Sequence, residues 1–372
     1  MSSEHADPGR EHAGRQYFGF SGREGARLGG FFAVVALLHV LGWGLFLRYA
    51  GDFGPVYAGA GALAYGFGLR HAFDADHISA IDDTTRVMLQ RGEHPMGVGF
   101  FFALGHSTVV FALSLGLAFA ARSVQANLEG WQAIGGTVGG LVSGTFLWIV
   151  GVLNLVVFIG IWRTYREMQR GNHDAARLEE LLTQRGFMNR ILGQRLRNLI
   201  SQSWHMYPVG VLFGLGFDTA TEIGLLAITA GAASMASSGG GEALPVLGII
   251  ALPLLFTAGM SLMDTIDGAF MSKAYHWALS TPLRKVYYNL TTTGLSVFVA
   301  LAIGTIQYLR VAGERLGLDH PFFAWLGALD FEAMGYAIVV LFLLAWLVSV
   351  AAFKLRRVEE RWGAATGQQR DQ

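Results

Sequence analysis

Arg70-His71-Ala72-Phe73-Asp74-Ala75-Asp76-His77-Ile78 lies inside an otherwise apolar stretch, about 56–83, long enough to cross a bilayer. A hydrocarbon core about 30 Å thick needs about 20 apolar residues. Five ionisable side chains within eight positions at that depth are too costly a device for packing alone. Read as one continuous helix at about 100° per residue, the stretch puts His71, Asp74 and His77 within a fan of about 120°. Asp76 then turns towards a neighbouring helix, or stands behind a ligand. Two imidazoles with carboxylates beside them suit a borderline divalent transition-metal ion. A carboxylate can also orient a ligating His through its other ring nitrogen. The bland alternative is a buried His–Asp network that only fixes packing, and the density of charge argues against it.

Working outward, the composition fits this membrane reading. Of 372 residues, 52% are hydrophobic and only 15% charged, where soluble domains carry about 25% charged residues. The net charge is zero, which removes the basic field that nucleic-acid binding would require. There is no Cys, so disulfides, thiolate ligands and Cys nucleophiles are excluded together. Eight windows have the length and apolarity of spans, at about 30–50, 56–83, 97–121, 134–162, 207–233, 244–271, 286–309 and 334–353. Basic residues favour alternate loops. Arg10, Arg15, Arg23 and Arg27 precede the first span, Arg86 and Arg91 follow the second, and eight Arg from Arg163 to Arg197 follow the fourth. Basic residues mark the cytoplasmic side. The expected fold is therefore all-α: a polytopic bundle of about eight transmembrane helices with both termini cytoplasmic. It divides into a polar N-terminal tail (1–28), a transmembrane domain (29–355) with a cytoplasmic helical linker (163–205), and a C-terminal tail (356–372). No internal repeat is visible by eye.

Three more spans carry buried charge. The third holds Gly105-His106-Ser107-Thr108, the fifth Asp218 and Glu222, and the sixth Asp264 and Asp267. Asp218 and Glu222 are four apart and Asp264 and Asp267 three apart, so each pair shares a helix face and repels unless a cation or proton lies between. Met260 and Met263 read as apolar filler. Acid and imidazole dominate, with Arg70 the lone cation. A buried carboxylate needs a counter-charge, and a travelling divalent cation supplies one. His71, Asp74, Asp76, His77 and His106 are the candidate metal residues. Asp218, Glu222, Asp264 and Asp267 are candidates for an ion pathway or proton coupling.

At these residues the chain resembles the nickel/cobalt transporter family (NiCoT) of eight-span permeases. The carrying motifs are RHAFDADHI (70–78), FFALGHSTVV (101–110), LGFDTATE (215–222), GMSLMDTIDG (259–268) and YYNLT (287–291), in order over about 30–355. The resemblance implies a multi-pass protein of the cytoplasmic membrane. It implies uptake of Ni²⁺ and/or Co²⁺ as substrate, with no permanent cofactor. The drive is the proton gradient or membrane potential, so no ATPase subunit is needed. It implicates His71, Asp76 and His77 in metal recognition, with Asp74 and His106 in the same motifs. One departure is Asp83, where family members often carry Asn; it is expected near the cytoplasmic mouth.

The rival readings are thinner. An intramembrane metalloprotease needs His-Glu-x-x-His, and a serine hydrolase of the nucleophile-elbow type needs G-x-S-x-G; neither occurs. A metal sensor would carry a signalling domain. Efflux relatives tend to have His-rich cytoplasmic loops, whereas 163–205 holds only His173 and His205. Uptake is therefore the expected direction, with efflux as the alternative.

Overall fold

The computed structural model describes residues 22–169, 200–215, 220–237, 244–278 and 282–355, and among them all regular structure is helical. Asp218, most of the expected linker 163–205 and the tails 1–21 and 356–372 lie outside the described residues. In chain order the helices are α1 (Gly22–Ala50), α2 (Gly54–His71), α3 (Ala75–Gln90), α4 (Val98–Gln169), α5 (Met206–Gly214), α6 (Ala220–Ser237), α7 (Val246–Ala278), α8 (Pro282–Leu316), α9 (Pro321–Gly327) and α10 (Phe331–Leu355). Five stretches among the described residues have the length and apolarity to cross a membrane: Gly22–Ala50, Val98–Gly116, Gly136–Gly160, Val246–Tyr275 and Thr293–Leu316.

The expected second span is two helices, not one, which corrects the single-helix fan drawn from the sequence. Asp74 has ψ 141°, an extended value that no α-helix accommodates. The chain leaves α2 through i→i−3 bonds, with Phe73 N–H donating to Arg70 O at 3.0 Å and Asp74 N–H to His71 O at 2.9 Å. It re-enters at Ile78, whose N–H donates to Asp74 O at 3.1 Å. The break thus keeps its backbone groups bonded, which membrane depth demands. The carbonyl end of α2 and the amide end of α3 meet there, and Asp76 in the first turn of α3 complements the helix dipole.

Asp82, Asp83 and Arg86 are buried within α3, so Arg86 lies in a helix and not in the basic loop in which its sequence position had placed it. The helix α4 contains the third and fourth expected spans. A straight helix would separate His106 from Ser143 by about 55 Å. The His106 ring nevertheless lies 4.7 Å from that of His77, while Ser143 Oγ donates to Asp76 Oδ2 at 3.0 Å. The path of α4 therefore folds back between His106 and Ser143, and its two apolar stretches, Val98–Gly116 and Gly136–Gly160, are separate candidate spans.

Close helix contacts rest on glycine, as lipid-embedded packing requires. A Cβ on Gly68 would run into the Phe256 carbonyl, one on Gly210 into the Phe102 carbonyl, and one on Gly335 into the Phe73 carbonyl. The last contact seats α10 against the α2–α3 break, where Phe73 and Tyr336 stack with ring centroids 4.7 Å apart.

These contacts expose a repeat that the sequence reading had not found. Phe67-Gly68-Leu69 and Phe73-Asp74 flank the first break; Phe213-Gly214-Leu215 and Phe217-Asp218 recur in the fifth span. Phe102-Ala103-Leu104-Gly105-His106-Ser107 recurs as Phe256-Thr257-Ala258-Gly259-Met260-Ser261. The packing is exchanged between the halves. Gly259 on α7 meets the backbone of Tyr65 and Leu69 on α2, and Gly105 on α4 meets that of Tyr207 and Val211 on α5.

Two apolar clusters meet at the break. Ala72 belongs to one, with Phe46, Tyr57, Leu225, Leu252 and Phe256; Ala75 belongs to the other, with Ile78, Ile81, Phe102, Phe213 and Ile303.

Candidate metal site

Where the two clusters meet, three imidazoles converge. His71 closes α2, His77 lies in the first turn of α3, and His106 lies on the first pass of α4. All three are buried, and one ring nitrogen from each falls within 4.8 Å of the others. The His71 and His77 ring centroids are 4.7 Å apart. His71 leans on the Phe256 ring and His77 on the edge of Phe102, so one apolar cluster supports each ring.

Glu222 joins them from the first turn of α6. Its Oε1 lies 2.9 Å from His106 Nε2 and 3.9 Å from His71 Nε2, and the two Nε2 atoms are 3.0 Å apart. A proton on His106 Nε2 can serve the Glu222 carboxylate or the His71 lone pair, but not both fully. Without it, two imidazole lone pairs and a carboxylate face one another in a dry site, an arrangement that repels unless a cation joins them. Around an ion bound at about 2.0–2.1 Å, neighbouring donors lie about 2.9–3.4 Å apart. The His106–Glu222 and His71–His106 spacings fall in that range, and the His71–Glu222 spacing of 3.9 Å exceeds it. Imidazole donors with a carboxylate beside them favour Ni²⁺, Co²⁺, Cu²⁺ or Zn²⁺ over Mg²⁺ or Ca²⁺.

The outer partners fix the rings. Thr221 Oγ1 lies 3.1 Å from His71 Nδ1, and Asp264 Oδ2 lies 3.3 Å from His77 Nδ1. An Nδ1–H of His77 donating to Asp264 leaves the Nε2 lone pair available, and that Nε2 is buried with no hydrogen-bond partner among the described residues. This is the carboxylate–histidine arrangement that raises ligand basicity. Asp264→Asn is therefore expected to weaken Ni²⁺ binding to the purified protein about 10- to 100-fold, read by calorimetric titration. An unchanged affinity would mean that His77 is oriented by another group.

The structure thus brings together His71, His77 and His106 from the sequence-read metal set. Glu222, which the sequence reading had placed in the ion pathway, contacts His106 and His71 but lies outside that group of ligand atoms. The structure does not place Asp74 or Asp76 in the same group of ligand atoms. Asp74 is buried at the helix break, and Asp76 is bound by Ser143. Asp264 serves His77 rather than acting only as half of an acidic pair with Asp267, which is half-buried one turn further along α7. Arg70 pairs with Asp330 at 3.7 Å, both half-exposed, so it does not neutralise the cluster. Thr221 escaped the sequence reading, although it stands beside Glu222 in the same motif.

Comparison with known proteins gives a consistent set. The family model described as high-affinity nickel-transport protein matches residues 57–352. The nickel transporter NicT of Mycobacterium tuberculosis is 45% identical over 375 residues, covering 98% of this chain and 99% of that protein. The nickel transporter NixA of Staphylococcus aureus is 46% identical over 332 residues, covering 89% and 96%. The cobalt transport protein NhlF of Rhodococcus rhodochrous is 45% identical over 331 residues, covering 87% and 91%. No solved structure matches the chain.

Proposed function

Because the chain belongs to the high-affinity nickel-transport protein family, we propose that it is a secondary permease carrying Ni²⁺ and/or Co²⁺ into the cell across the cytoplasmic membrane. The observation that carries the reading is the buried His71–His77–His106 cluster, with Glu222 against it, at a broken helix. Unwound backbone at membrane depth is tolerated where it lines a substrate site, and transporters place their sites at such breaks.

The proposed topology has eight passes with both termini cytoplasmic. α2 with α3 forms the second pass, α5 with α6 the fifth, and the two ends of α4 the third and fourth. The tails 1–28 and 356–372 and the linker 163–205 lie on the cytoplasmic side. Metal is the substrate; no permanent cofactor, ATPase subunit or nucleic acid takes part. The drive is the proton gradient or the membrane potential. Ligating imidazoles must be neutral and Glu222 ionised, so protons compete with the metal for the site. Asp74, Asp76 and Asp267 line the approach or carry protons, and Asp218 is assigned to proton coupling from its sequence position alone.

The test is labelled uptake. Cells expressing the chain are expected to accumulate ⁶³Ni²⁺ saturably above cells without it. Excess Co²⁺ should compete strongly and Mn²⁺ weakly, because imidazole donors favour the later metals. Lowered accumulation would reverse the direction and establish efflux.

A further inference from the structure

A second buried polar assembly lies beyond His77, towards the Ala278 end of α7, and takes no part in the metal cluster. Its centre is Arg86 on α3, only 2% exposed. Arg86 Nη2 donates to Tyr275 Oη on α7, Nη1 donates to Thr293 Oγ1 on α8 at 3.2 Å, and Cζ sits 4.0 Å from the Tyr275 ring centroid. Tyr275 Oη in turn donates to Asp82 Oδ1, and Ser296 Oγ donates to Asp82 Oδ2 at 2.5 Å. Arg86 Nη2 is 3.8 Å from the same Asp82 oxygen. Asp83 beside it accepts from Asn154 Nδ2 on α4 at 2.7 Å.

Three observations make this more than a structural tie. First, a buried ion pair is a poor means of holding helices, since apolar replacements are often as stable or more so. Second, the assembly continues a line of carboxyl groups from the metal cluster. Asp264 on α7 bonds to His77, Asp267 stands one turn further along α7 towards Tyr275, and Asp82 stands five residues beyond His77 on α3. Third, the charge is one-sided. On the opposite side of the cluster, the layer holding Phe46, Leu225, Leu252 and Leu255 carries buried hydroxyls such as Thr229 and Thr257 but, among the described residues, no buried carboxylate or cation. The acidic line therefore leads from the site in one direction, and a guanidinium stands across it.

We propose that the Asp82–Arg86–Tyr275–Ser296 assembly is the gate closing the ion path on the Ala278 side of the site, with Arg86 a tethered cation that holds the acidic passage shut until the transported ion displaces it. The proposal rests on the transport reading. An arriving divalent cation repels the guanidinium and competes for Asp82, so gate opening is coupled to cargo rather than to an independent motion. Without cargo, Arg86 neutralises Asp82 and keeps the helices α3, α7 and α8 together. The Asp83–Asn154 bond adds α4 to the same closure.

The absence of Cys allows a direct test. Ser261 on α7 is fully buried, with no partner for its hydroxyl among the described residues, and stands one turn from Asp264 on a neighbouring part of the same face. In a Ser261→Cys background, modification by a small cationic methanethiosulfonate reagent is timed from each face of oriented vesicles. Tyr275→Phe keeps the ring under Arg86 but removes the hydroxyl that joins it to Asp82. The double variant Asp82→Asn/Arg86→Gln removes both charges together. Each is expected to speed modification at least tenfold from one face, and the same face in both. Unchanged rates from both faces in variants that elute as folded protein overturn the gate. The face at which the rate rises reports the orientation of α7. Failure of the transport reading is separately visible, as the absence of saturable ⁶³Ni²⁺ uptake by the unaltered chain.

Discussion

Replacing His77 by Ala is expected to lower saturable Ni²⁺ uptake at least about 100-fold, since loss of a ligand should cost no less than the 10- to 100-fold that loss of an outer partner costs. His77 is the member of the cluster whose two ring nitrogens have separate tasks. Nδ1 faces Asp264 and Nε2 faces no protein partner among the described residues. His77→Ala also strips Asp264 of that partner, so a folding defect would imitate a binding defect. His77→Asn separates the two. Its amide can still donate to Asp264, but it offers no imidazole lone pair to the metal. Both variants are expected to reach the membrane in ordinary amounts and to fail in ⁶³Ni²⁺ uptake. Normal uptake by His77→Asn would remove His77 from the ligand set.

Much of this site was legible in the sequence because charge at membrane depth stands out against an apolar background. His71, His77 and His106 were read from that contrast alone. Their geometry was not legible. A continuous helix and a helix broken at Asp74 carry the same hydropathy, and no Gly or Pro lies between Arg70 and Ile78 to mark the interruption. The available signal was subtler: Asp74 followed by Asp76, an acidic helix start placed within a span. Glu222 was read as half of a repelling pair with Asp218 because an i,i+4 spacing says nothing of what lies opposite. Its partners, His71 and His106, come from helices more than a hundred residues away.

Arg86 shows the same limit from the other side. Counting basic residues between apolar windows places it in a loop, whereas it lies buried within α3. Its actual place is set by Tyr275, Thr293 and Asp82, a pocket that exists only after α3, α7 and α8 pack. The repeat was hidden for a different reason. Only a few identities survive in each half, and the first copy carries Arg70-His71-Ala72 where the second has Gly216 alone. It became visible through the exchanged glycine contacts. At Gly68, Gly99, Gly105, Gly210, Gly259 and Gly335 a glycine is where two backbones touch.

Gly99→Ala is expected to be among the most damaging substitutions of a single hydrogen by methyl. The added Cβ would run into the Asp264 carbonyl on α7, and a Cβ on Gly268 would in turn meet Gly99 N at 2.9 Å. Two backbones are in contact there, with no flexible side chain to yield. Overpacking of this kind costs about 1–3 kcal/mol, and here the strain falls on the residue that orients His77. Displacing α7 by the width of a methyl lengthens the 3.3 Å His77–Asp264 contact beyond hydrogen-bonding range. Gly99→Ala should therefore lower the melting temperature in detergent and depress Ni²⁺ uptake together. Gly66→Ala is the control. Gly66 lies on an exposed part of α2, and a Cβ there meets nothing within 4 Å. In mid-helix that change is expected to stabilise by about 0.5–1 kcal/mol and leave uptake intact. If Gly99→Ala melts and transports as Gly66→Ala does, α4 and α7 are not in backbone contact at this point, and the support proposed for His77 fails with it.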